Sequence, residues 1–144
     1  MTMIMIARGW LVALAVALLA GATPAFAQEA RLETQLATAV QHASFSMDAD
    51  DHAMAVRHLG HVLNCIAGED GEGFDGSWGH PCGGQGDGIL VDIEEHPRHD
   101  DLAAVLRSVH ALAMEGVGGE TLGSVQAAAA GVRALLEVVE SFGN

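Results

Sequence analysis

The sequence predicts an all-α fold: a four-helix antiparallel bundle with a long, disulfide-tied, glycine-rich loop between helices 2 and 3. Three observations carry this. Apolar residues recur at steps of three and four in four separate segments, the period of one helix face. No segment alternates convincingly as a strand does. Two of the three connections are short, and four amphipathic helices bury their stripes most economically against one another.

The first predicted helix runs from about Glu29 to Ala43, with Leu32, Leu36, Ala39 and Ala43 as its seam. The second runs from about Ala49 to Ala67. Asp48 is placed to cap it, and Asp50 and Asp51 lie in its first turn, where the helix dipole favours negative charge. Ala55, Leu59, Val62 and Ile66 form its seam, and Gly68 is placed to end it with a left-handed residue. The third starts near Pro97, a residue suited to the first helical position. Leu102, Val105, Val109 and Leu112 form its seam, and Gly116 stops it. The fourth follows Thr121, with Leu122, Val125, Ala129, Val132, Leu136 and Val139 alternating steps of three and four. The Ala127–Ala130 run allows close helix approach.

Residues 1–27 read as a cleaved signal peptide. Arg8 supplies a positive start, Trp10 to Ala20 an apolar run too short for a comfortable membrane span, and Ala25-Phe26-Ala27 a cleavage site. The expected mature domain is 28–144, periplasmic or secreted, with no stable membrane anchor. The full chain has 6 basic and 19 acidic residues, a formal charge of −13. Such a surface repels nucleic-acid phosphates and anionic lipid headgroups, and suits cations or a basic partner.

Two cysteines in an exported chain suggest one disulfide, Cys65 to Cys82. It would tie off the loop insert 68–96, which is too long for an ordinary bundle connection, and stabilise by roughly 3 kcal/mol on the chain-entropy model. The alternative, a pair of thiolate ligands, is disfavoured in an oxidising compartment. There is no C-x-x-C redox motif and no C-x-x-C-H haem attachment motif.

The second helix carries a further stripe, displaced by one residue from its seam: Met47, Asp51, Met54, His58, His61 and Cys65. One residue is about 100° around a helix, so this stripe flanks the core and is half-buried and reachable. His58 and His61, three apart, can converge on one ion. Met54 lies on the same face. On the third helix His99, His110 and Met114 fall within roughly 60° of one another. In the loop Trp78, His80 and Pro81 are placed to pin the chain onto the bundle, with His80 a candidate to cap a site built by His58 and His61. Imidazole with thioether suits copper, imidazole with carboxylate suits zinc or nickel, and an imidazole–thioether pair suits non-covalent haem.

Other motifs fail on their chemistry. Asp70-Gly71-Glu72-Gly73-Phe74 puts a phenylalanine where a calcium loop needs a ligand. Gly83 to Gly88 has no lysine for a phosphate loop and follows no strand. His96, His99, Glu94 and Glu95 read as a solvated helix start. There is no G-x-S-x-G, no H-E-x-x-H and no tyrosine, so no acid–base pair or nucleophile can be located and the protein reads as no enzyme.

The segment His58-x-x-His61-x-x-Asn64-Cys65, followed by Pro81-Cys82-x-Gly84-Gln85-Gly86-x-Gly88, resembles a pattern in small exported bacterial helical proteins of unassigned function. The resemblance spans about 35 residues and implies that the helix end, the disulfide and the Gly-Gln-Gly loop work as one unit. It transfers no activity. The expectation is a non-catalytic exported binding protein for a transition metal (copper, zinc or nickel) or haem, with candidate ligands His58, His61, Met54, His80 and His110. The alternative is a structural or partner-binding bundle with incidental histidines and no cofactor.

Overall fold

The computed structural model describes residues 24–143. The apolar run from Trp10 to Ala20 lies outside the described residues. Among the described residues the protein is all-helical: α1 (Pro24–Met47), α2 (His52–Ala67), α3 (Ile89–Asp92), a 3₁₀ turn (Ile93–Glu95), α4 (His99–Val117) and α5 (Leu122–Gly143). The helix count is therefore five rather than the four expected. The addition is α3, one turn inside the segment read as loop. It forms because Ile89 and Ile93, four residues apart, both drop into the core at 1% exposure or less.

α1 packs on α2 and on α5, and α4 packs on the same two helices. The expected seams of α1 and α2 are fully buried, as are Val125, Ala129, Val132, Leu136 and Val139 of α5. The α4 seam differs. Leu102 and Val109 are buried as expected, but their companions are Leu106 and Ala113, while Val105 and Leu112 are half-buried at the flank. Both sets keep helical spacing, and the packing against α2 and α5 selects between them.

Several boundaries also move, and α4 starts at His99, so Pro97 lies outside it. Asp51, not Asp48, caps α2: its backbone is extended and its carboxylate accepts from the Met54 amide at 2.9 Å. α1 continues through Met47, so Met47 belongs to α1. Gly116 does not stop α4, which ends at Val117. Gly116 is a packing residue: a Cβ there would come 2.5 Å from a Leu59 methyl and 2.7 Å from the Ala128 Cβ.

The connection from Gly68 to Gly88 is fastened along its whole length. Gly68 takes a positive φ of 71° and returns its amide to the Asn64 carbonyl at 3.0 Å. Buried Asn64 donates to the carbonyls of Asp75 (2.8 Å) and Gly79 (2.7 Å) and accepts from the Asp75 amide (2.9 Å). Cys65 and Cys82 form the expected disulfide, with both residues buried. At the far end buried Gln35 of α1 donates to Asp92 Oδ2 at 2.6 Å and accepts from the Gly88 amide at 3.2 Å. Buried polar groups with this many partners define one arrangement of the loop.

The Trp78 ring lies against Gly60 of α2, where a Cβ would sit 2.3–2.5 Å from ring carbons. Gly60→Ala is therefore expected to displace Trp78 and destabilise by about 1–3 kcal/mol. Trp78 is the only tryptophan among the described residues, so its fluorescence during urea unfolding reads both effects.

Candidate metal centre

Three imidazoles from two helices meet beside this loop: His42 of α1, and His58 and His61 of α2. Each sits one residue before a seam residue, namely Ala43, Leu59 and Val62. That offset puts all three on the flank of the α1–α2 interface, half-buried. His58 and His61 are neighbours on one face by their spacing of three. His42 joins them only because α1 packs on α2.

The nitrogens that converge are the Nδ1 atoms. His42 Nδ1 lies 3.3 Å from His58 Nδ1 and 3.1 Å from His61 Nδ1. The outer nitrogen of His61, Nε2, lies 2.5 Å from the Trp78 carbonyl oxygen. A carbonyl only accepts, so Nε2 carries the proton and neutral His61 presents its Nδ1 lone pair to the cluster. Backbone support on the outer nitrogen is the arrangement that orients metal-bound histidines. Gly79 makes the approach possible, since a Cβ there would come 3.1 Å from His61 Nε2. Phe45 covers one side, its ring centroid 5.4 Å from that of His42 and 5.3 Å from that of His58.

All three imidazoles are held toward the neutral form. His42 is lowered to about 4, by burial first and then by the His61 and His58 rings. His58 is lowered by burial, His61 and the Arg57 guanidinium. His61 is lowered by burial and Arg57, against an opposing pull from the Trp78 carbonyl. Neutral imidazole is the form that binds a metal. The same depression links folding to pH. Below the ordinary value of 6.5 the unfolded chain takes up protons that the folded cluster refuses, so the trio's contribution is intact above 6.5 and is lost as pH falls through the folded values, down to about 4 for His42. The metal-free protein is expected to lose stability across this window. His42→Gln should flatten that part of the slope in urea midpoints measured against pH.

His58 and His61 thus stand where the sequence placed them, joined by His42, which the sequence reading missed. The other candidates are elsewhere. Met54 is 41% exposed, one turn before His58. His80 and His110 lie outside the trio. The His80 ring packs edge-on to Phe74, 5.3 Å between centroids. His110 Nε2 donates to the Glu72 carbonyl at 2.8 Å, tethering the loop to α4. Cys65 is occupied by the disulfide and is no ligand. A formed disulfide fits an oxidising compartment.

Comparison with protein-family models, curated proteins and solved structures gave no match. The chemistry of the trio is therefore the ground on which function is argued. Three neutral nitrogen donors with no carboxylate among them suit a borderline transition-metal ion rather than calcium or magnesium.

Proposed function

We propose that this protein is a non-catalytic, exported binding protein for one transition-metal ion, copper, zinc or nickel, held by Nδ1 of His42, His58 and His61. The scaffold is read as an antiparallel four-helix bundle, because links of four residues between α1 and α2 and between α4 and α5 leave each pair room only to reverse direction. Export follows from the leader-like residues 1–27 and is supported by the disulfide.

The observation that carries the metal assignment is the spacing of the Nδ1 atoms. Metal–nitrogen bonds of about 2.0–2.1 Å in a tetrahedron place neighbouring donors about 3.3 Å apart. The two spacings at His42 are 3.3 and 3.1 Å. Without an ion, three lone-pair-bearing nitrogens share at most a proton or two between them; an ion satisfies all three at once. The same spacing argues against haem, whose iron offers only two protein positions, on opposite faces and about 4 Å apart.

The test is a titration of chelator-treated, disulfide-intact protein with zinc, copper and nickel. One equivalent is expected to saturate the site, shift all three imidazole resonances and raise Tm. At a hundredfold excess over Kd the gain is about 2.7 kcal/mol. No stoichiometric binding of any of the three ions would leave the bundle as a structural or partner-binding protein.

A further inference from the structure

Three histidines leave one position of a four-coordinate ion to be filled from elsewhere. Among the described residues no fourth imidazole, carboxylate or thiolate has its donor atom within 4.8 Å of all three histidine nitrogens. Residues 1–23 and 144, outside the described part, contain no histidine, cysteine, aspartate or glutamate, so they supply no such side chain either. The three donors approach from the bundle side, each one residue before a buried seam position, and their rings are half-buried. The fourth position therefore faces out of the bundle, beside the exposed ring of Phe45.

Charge decides what fills it. Neutral imidazoles leave the whole charge of a divalent ion uncompensated. Arg57, exposed and next to His58 in the chain, adds to that charge, since its guanidinium acts on both His58 and His61. The ion pairs of the described residues are made by Arg98 and Arg133, not by Arg57. A chain of formal charge −13 thus gains, once loaded, a local excess of positive charge on this flank. We propose that the loaded centre binds a small carboxylate at its fourth position, one oxygen on the metal and the rest of the anion facing Arg57. This rests on the three-histidine reading and names the ligand class that completes it. Carboxylate oxygen is an ordinary zinc ligand, at about 2.0–2.2 Å. The planar guanidinium fork matches a carboxylate better than a spherical anion such as chloride. A neutral ligand gains nothing from the Arg57 charge, and a cation is repelled by it.

The probe metal is cobalt(II), whose visible bands report the number and type of its ligands. Chelator-treated, disulfide-intact protein takes one equivalent in a buffer free of carboxylates. It is then titrated with acetate and with acetamide, a neutral molecule of the same shape. Acetate is expected to shift the bands saturably, to bind at least about tenfold more tightly than acetamide, and to leave the bound cobalt unchanged on dialysis. Arg57→Gln should keep cobalt at one equivalent and weaken acetate about tenfold, and Arg57→Lys should recover part of that loss. Bands that stay still in acetate, with cobalt bound at one equivalent, overturn the proposal and leave the three-histidine site standing. Equal affinity for acetate and acetamide, release of cobalt as acetate rises, or an Arg57→Gln response like that of the unaltered protein also overturns it. So does a response that appears only in Met54→Leu, which gives the position to the Met54 thioether. No cobalt binding at all removes the histidine site itself and this inference with it.

Discussion

Replacing His42 by alanine is expected to weaken metal binding by at least about a hundredfold while leaving the protein folded. Losing a group that merely supports a ligand costs about 10–100-fold in metal affinity, and losing a ligand costs more. His42 is also the member whose Nδ1 faces both others, at 3.3 and 3.1 Å, and the only one supplied by α1. Without it a two-histidine pair on a single helix remains, open on the side that α1 had closed. The cost to folding should be within about 1 kcal/mol, since His42 is half-buried at the flank of the α1–α2 interface rather than in its seam. His110→Ala is the control. It removes the tether to the Glu72 carbonyl and no member of the trio, so affinity should hold. Competition titrations against a chromophoric chelator measure both. Unchanged affinity in the His42 variant would sink the three-histidine site.

Why His42 escaped the sequence reading is a matter of range. His58 and His61 lie on one helix, where spacing alone makes them neighbours. His42 is 16 residues from His58 in the chain, and their meeting depends on the register of α1 against α2, which no within-helix period reports. A signal was present nonetheless. All three histidines precede a seam residue by one position, so helices packed seam to seam bring their flanks together. The same distinction runs through the fold. The α1 and α2 seams were legible because only one apolar stripe fits each. In α4 two stripes share Leu102 and Val109, and only contact with α2 and α5 chooses Leu106 and Ala113 over Val105 and Leu112. Asp48, Asp50 and Asp51 are equally suited as caps by type; the extended backbone at Asp51 decides it. Inside the insert, Ile89 and Ile93 were too short a pattern to declare a helix before the Gln35–Asp92 contact fixed their place.

Removing the disulfide, with Cys65→Ser and Cys82→Ser together, is expected to cost roughly 3 kcal/mol of stability for a closed loop of this length. Both positions are buried, so two hydroxyls needing partners add to that loss. The second expected effect is on the metal. Trp78 sits within the segment that Cys65 and Cys82 close, and its carbonyl is what holds His61 Nε2–H and leaves Nδ1 facing the cluster. Once the loop wanders, His61 can turn or take the other tautomer, and affinity should fall about tenfold, the size of a lost supporting contact. Asn64 opposes this, because its bonds to Asp75 and Gly79 bracket Trp78 from both sides and do not involve sulfur. The two measurements separate these fasteners. A fall in urea midpoint accompanied by the roughly tenfold fall in metal affinity assigns the placing of Trp78 to the disulfide. A fall in midpoint alone assigns it to Asn64, and then Asn64→Ala, with the disulfide intact, is the variant that loosens the metal.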